Sequence, residues 1–290
     1  MPARYSATCA LNPSLTLKYI DLAMHNKLSW LLLAVSASVF SPVWANSFSA
    51  TVSPPRFELQ AKPGDVIREI VEIDNAGDTP ALFAIRTADW DLTDDGGLTI
   101  FPPELQPGSC RPWVRMERRA LRLQGQSGKR FRFEIHVPED APAGECRLAI
   151  LVESGDDSSI LARANNISFP IEGRIAVIIY VAIGDAAPQL TLQSVRLQDM
   201  NGRLTPVAVL KNSGNAHGRP GGFLEGRDAT GKRIDFAIAQ TPILPGRTRT
   251  TAIWENIVEG AQATKVTPPL QLQGTIEWRG GKQQIDAILK

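Results

Sequence analysis

The chain has 290 residues, and its 31 lysines and arginines nearly balance its 30 aspartates and glutamates. Such a balance supplies neither the basic footprint that nucleic acid requires nor an acidic tail, so no nucleic-acid partner is expected. The length suits two domains, and the recurrence of Val, Ile, Thr, Gly and Pro within a 43% apolar composition favours an all-β chain with many turns.

The first predicted element is an address. From Met24 the sequence reads MHNKLSWLLLAVSASVFSPVWANS, with Lys27 as a short positive region, Leu28 to Phe40 as an apolar stretch and Val43-Trp44-Ala45 as a small-residue cleavage site. Residues 24–45 therefore read as a signal peptide, and residues 1–23 as a spurious extension ahead of a true start at Met24. The apolar run is too short for a membrane span, so no stable membrane insertion is expected. Cys9 leaves with the leader, and only Cys110 and Cys146 remain. In an exported chain a disulfide between them is the expectation. Two buried free thiols are the alternative, because pairing cannot be read from sequence.

Strand signals then follow in a steady series: VIREIVEID (66–74), LFAIRTADW (82–90), KRFRFEIHV (129–137) and CRLAILVE (146–153). They are separated by turn-forming stretches such as DDGG, QGQSG and PEDAPAGE. In KRFRFEIHV the residues Phe131, Phe133, Ile135 and Val137 share one face, the period-2 rhythm of an antiparallel sandwich. The longest signal is ISFPIEGRIAVIIYVAIGD (167–185), whose odd positions from Ile167 to Ile183 are all large and apolar except Gly173. One long strand is predicted there, with Pro170 placing its first half on a sheet edge or past a bulge.

GDAAPQL (184–190) reads as a linker into a second strand series, which runs from LTLQSVRLQD to KQQIDAIL. EIDNAGDTP (72–80) is echoed by VLKNSGNAH (209–217), each a strand ending in Asn-x-Gly. The echo points to two copies of one plan. The fold class is all-β, as two immunoglobulin-like β-sandwich domains at 46–185 and 186–290.

Catalytic candidates are poor. His136 lies on the polar face of an alternating strand, and His217 lies in the glycine-rich GNAHGRPGG, where turn chemistry explains it. There is no GxSxG elbow and no HExxH helix, so neither an enzyme nor a cofactor is expected. GRDATGKR (226–233) has the glycine spacing of a phosphate loop, but Arg233 replaces the hydroxyl residue that would hold magnesium; it reads as a hairpin turn. DWDLTDD (89–95) lacks the spacing of a calcium loop, and no metal site is expected. What remains is Arg56 in SPPRFELQ and Arg174 in the last long strand. Two guanidinium groups facing one cleft would suit a carboxylate through bidentate bonds; the alternative is two ordinary solvated strand residues.

The exported two-domain β plan, SPPRFEL as first strand and ISFPIEGRIAVIIYV as the last strand of domain one resemble the PapD-like periplasmic pilus-chaperone family. The polar stretch SGDDSSILARANN (154–166) stands where that family has a long loop before its final strand. The resemblance implies a periplasmic chaperone for surface-fibre subunits. Arg56 and Arg174 would anchor the client's C-terminal carboxylate, with arginine at 174 where the family has lysine. Ile167, Phe169 and Ile171 would be donated to complete the client's sandwich by β-augmentation. The implied partners are an exported β-rich subunit and an outer-membrane usher. The competing expectation is a structural or adhesive envelope protein built from the same domains.

Overall fold

The computed structural model describes residues 48–155, 160–164, 167–171, 173–257, 260 and 262–290, and for 160–164 and 167–171 the backbone alone. The signal peptide expected at 24–45 and the extension expected at 1–23 lie outside the described residues. In the first domain the strands are β1 (Ala50–Ser53), β2 (Arg56–Ala61), β3 (Val66–Asn75), β4 (Ala81–Ala88), β5 (Trp90–Leu92), β6 (Leu98–Ile100), β7 (Val114–Met116), β8 (Ala120–Leu123), β9 (Ser127–His136), β10 (Gly144–Ser154), β11 (Ile160–Ala164), β12 (Ile167–Ile171) and β13 (Arg174–Ile183).

Two sheets face each other, in the orders β1-β3-β9-β7 and β2-β13-β10-β4-β8. The stretch read as one first strand serves both. Pro54 and Pro55 have no N–H to donate, so the ladder on β3 stops at Ser53. The chain resumes in the opposite sheet as β2, parallel to β13, with Arg56 opposite Ile178 and Ala61 opposite Ile183. This sharing of the first strand is the edge of an immunoglobulin-like sandwich.

Alternation fills the space between the sheets. Val71, Ile73, Phe131, Phe133 and Ile135 of one sheet meet Ile150, Val152, Ile179 and Val181 of the other. Cys110 and Cys146 are buried in the same core and form a disulfide across a Cα separation of 6.1 Å, which ties the loop before β7 to β10. The central strands are buried on their outer face too: Ala149, Leu151 and Tyr180 pack with Ala88, Trp90 and Leu244 of the second domain. That second burial explains why the even positions of the last strand also turn apolar after Arg174.

The single long strand predicted at 167–185 is in fact two. β12 pairs with β11 as a hairpin, from Ile171 opposite Ile160 to Ile167 opposite Ala164, and Pro170 sits opposite Leu161 within it. A new strand, β13, begins at Arg174. Gly173 stands between them because a Cβ there would lie 2.0 Å from Cγ of Phe48. The Phe48 ring, edge-on to Phe83 at 5.9 Å, takes the space of the missing side chain.

The second domain contains β14 (Leu190–Met200), β15 (Arg203–Asn212), β16 (Phe223–Arg227), β17 (Arg233–Ile238), β18 (Thr248–Glu255), β19 (Leu270–Trp278) and β20 (Gly281–Leu289). They run in the order β14-β15-β18-β17-β16-β19-β20 around a core that includes Leu210, Phe236, Ile253, Leu272 and Ile276. GRDATGKR is the β16–β17 hairpin, its turn held by the Asp228 carboxylate, which accepts the N–H groups of Thr230 and Lys232. DWDLTDD belongs to the β5–β6 hairpin. Three of its four carboxylates are engaged by protein groups, Asp89 by Ser109 and Arg111, Asp91 by Arg247 and Asp95 by Thr93.

The Asn-x-Gly echo has a physical basis. Asn75 Oδ1 accepts the Gly77 N–H, and its Nδ2 donates to the carbonyls of Thr79 and Gln124. Asn212 repeats this with the Gly214 N–H and the carbonyls of Ala216 and Ile243. In each domain one buried amide closes the turn that leaves a central strand, at the same offsets of two and four residues.

Candidate functional site

The site begins with an unfilled sheet edge. Ile178 N–H donates to the Pro55 carbonyl and Gly184 N–H to Ala61, so even-numbered residues of β13 aim their backbone groups at β2. Odd-numbered positions face β10, as the Ser154 N–H to Gly173 carbonyl bond shows. β2 reaches no further back than Arg56 opposite Ile178, whereas β10 pairs with β13 back to Arg174. By the period of two, Arg174 and Ala176 therefore present N–H and C=O groups to a side with no strand partner among the described residues.

Arg56 stands at the step where this open edge meets β2. Its partner along the sheet is Ile178, four residues beyond Arg174, which separates the two arginines by about 13 Å along the strand. The structure does not bring them to one point. Arg174 Nε binds Glu153 at 2.5 Å, and Arg86 holds the same carboxylate through two bonds of 2.7 and 3.0 Å. Burial pushes the Glu153 carboxyl up, but the hydrogen bond and charge of Arg86, then Arg174, outweigh it and hold it below the usual carboxylate range. Arg56 instead pairs with Glu58 at 2.9 Å. The Ile167, Phe169 and Ile171 backbone lies in the β11–β12 hairpin, and their side chains lie outside what the structure describes.

Beyond Arg56 lies a cavity of about 240 Å³, lined by Glu58, Glu145, Tyr180, His217, Arg219 and Arg279. The first three come from β2, β10 and β13, and alternation turns them outward from the core. The others come from the second domain. Gly218 bridges to Ile243, and a Cβ on it would lie 2.6 Å from Leu190; only glycine allows that approach. The bridge extends the backbone, so His217 and Arg219, on either side of Gly218, reach the same cavity.

His217 is not a solvated turn residue. Its side chain is 9% exposed, and its Nδ1 binds the Glu145 carboxylate, 1% exposed, at 2.5 Å. The His217 backbone N–H donates to the same oxygen at 2.9 Å. Tyr180 lies against the imidazole with ring centroids 3.9 Å apart and meets Trp90 edge-on at 5.3 Å. His136, by contrast, is a half-exposed strand residue bound to Glu134, as its face of the strand implied.

Burial pushes the Tyr180 phenol up to about 12, with Arg219 opposing the rise and Glu145 and Glu58 adding to it. Tyr180 is the only tyrosine after residue 45, since the others are Tyr5 and Tyr19, so phenolate absorbance of the chain from residue 46 reports on it alone. That absorbance is expected to appear near pH 12. The unfolded phenol ionises near 10, so stability is full below about pH 10 and falls by about 2–3 kcal/mol as pH rises to about 12. Tyr180→Phe should remove that slope; a phenolate appearing near pH 10 in the folded protein would contradict the burial.

No family model matches the chain, and no curated protein matches it in sequence. Similar solved structures include the class 5 fimbriae chaperone CfaA, 12% identical over 83% of this chain and 99% of that one, with a TM-score of 0.44. The E. coli chaperone DraB is 16% identical over 84% and 97% of the two chains, with a TM-score of 0.41. The CsuC–CsuE chaperone–tip subunit pre-assembly complex from Csu pili of Acinetobacter baumannii is 14% identical over 83% and 99%, with a TM-score of 0.41.

Proposed function

We propose that this protein is a non-enzymatic periplasmic chaperone that holds an exported β-rich subunit of a surface fibre and hands it to an outer-membrane usher. The observation that carries the reading is the edge of β13 between Arg174 and Val177, paired with β10 on one side and with no strand on the other among the described residues. An edge of this kind is a template for another chain, and an extended segment laid there gains main-chain hydrogen bonds by β-augmentation. Ile167, Phe169 and Ile171, just upstream, would supply alternating apolar side chains to the subunit's unfinished core. Arg56, half exposed at the end of the edge, would receive the subunit's terminal carboxylate.

Affinity purification of the chain from residue 46, with mass identification of what comes with it, tests the reading. An exported β-rich subunit is expected in stoichiometric yield. Arg56→Ala should lose it, because removing one partner of a desolvated charge pair costs about 2–5 kcal/mol, while leaving the fold intact. A folded Arg56→Ala that keeps its subunit at wild-type yield would refute the anchoring role.

A further inference from the structure

The near balance of charge over the whole chain hides a local excess. Residues 115–132 hold six arginines and Lys129 against a single carboxylate, Glu117. The chain carries a net charge of +1 and this segment +6, leaving −5 for all the other residues. We propose that this edge of the first domain is a docking surface for an anionic lipid bilayer, held through phosphate headgroups without insertion.

The fold gathers these cations. β7 and β8 end the two facing sheets and are joined by residues 117–119 alone, so the two edges lie side by side. Leu121, Leu123, Phe131 and Phe133 are buried, and alternation therefore turns Arg122, Arg130 and Arg132 outward. All seven cations are exposed. Arg118 and Arg132 share Glu117 at 3.4 and 3.8 Å. Glu134 stands opposite Arg115 in the ladder but is held by Arg68 and His136, and Glu72 stands opposite Arg130. Arg115, Arg119, Arg122, Lys129 and Arg130 have no ion pair among the described residues.

Edge protection does not account for this charge. Charged side chains on an edge strand ward off unwanted pairing, yet β1, the other edge of the same sheet, is ATVS and carries none. The chemistry of the patch selects a lipid surface over a protein face. Protein interfaces centre on apolar and aromatic anchors, and no exposed large apolar side chain lies between 115 and 132. Guanidinium groups grip phosphate oxygens bidentately. A bilayer offers phosphates as a broad array, which suits cations spread along an edge rather than converging in a pocket. Each lysine or arginine near an anionic surface strengthens binding about fivefold.

The test is co-sedimentation of the chain from residue 46 with vesicles of phosphatidylcholine alone, or of phosphatidylcholine and phosphatidylglycerol in equal parts. Binding is expected to the mixed vesicles only, and it should vanish at about 0.5 M salt, where screening acts within about 4 Å. Arg115→Gln, Arg119→Gln, Arg122→Gln and Arg130→Gln in one chain should weaken it about a hundredfold or more. The pair Arg119→Gln and Arg122→Gln, expected to weaken it about twentyfold, serves should the fourfold variant unfold. Glutamine at four exposed cations of the second domain, Arg196, Lys211, Lys282 and Lys290, changes the net charge equally. That control should lose less than about fivefold. Equal binding to the two kinds of vesicle, binding to neither, or equal loss in patch and control variants overturns the proposal. So does capture by polyglutamate in place of the mixed vesicles, which would mark an acidic protein as the partner.

Discussion

Asn212→Ala is expected to lower the stability of the second domain by about 4–5 kcal/mol in urea unfolding, among the larger effects available to a single substitution. The side chain is fully buried and makes four hydrogen bonds. It donates to the carbonyls of Ala216 and Ile243, both at 2.8 Å, and accepts the N–H groups of Gly214 and Gln189 at 3.0 and 3.1 Å. Truncation strands the Ala216 carbonyl and the Gly214 and Gln189 N–H groups, each costing about 1–3 kcal/mol if water cannot reach it, while the Ile243 carbonyl keeps the Gly218 N–H. Asn75→Ala should cost less, because Asn75 makes three such bonds, two of them to carbonyls of the exposed Thr79 and Gln124 that water can reach. Asn212→Asp should not rescue, since a carboxylate has no donor for two carbonyls. An Asn212→Ala protein within about 1 kcal/mol of wild type would show that the turn does not depend on this amide. The turn carries Gly214 to Arg219, so its loosening should also weaken the cleft.

Much of the fold was legible because burial follows a period of two. Phe131, Phe133 and Ile135 lie inside as their alternation required, and the Asn-x-Gly echo marks the same hydrogen-bonded turn in both domains. What the alternation could not show was where a ladder changes partners. Pro54 and Pro55 split the first strand between two sheets, and Gly173 ends one strand and starts another while the apolar parity continues across it. Both breaks depend on contacts with distant residues, Phe48 above all.

The site was legible in its first half only. Arg56 is where the edge ends, but pairing it with Arg174 assumed a register that the parallel β2–β13 ladder shifts by four residues. Glu58 could have been found, since it shares the outward face of Arg56 two residues away. Arg219 and His217 could not, because GNAHGRPGG reads as a turn and only the Gly218–Ile243 bridge sends both side chains toward the first domain.

Proline at position 176 gives the second large effect. The Ala176 N–H points away from β10, by the parity that Ile178 sets, so Pro would remove no bond within the sandwich. Edge positions of this kind tolerate proline. On the open side it would delete a donor and put a ring where an incoming strand must lie, and a lost main-chain bond with a steric block is worth at least about tenfold in affinity. Arg174→Pro, at the first residue of the strand, is the second variant should position 176 prove too crowded to fold.

The direct measurement is the molar yield of exported β-rich subunit that co-purifies with folded Ala176→Pro, set against wild type. Strand pairing on the β13 edge predicts a yield below about one tenth of wild type, with the unfolding midpoint and the high Tyr180 phenol pKa unchanged. Subunit recovered at wild-type yield by a folded Ala176→Pro protein would contradict it.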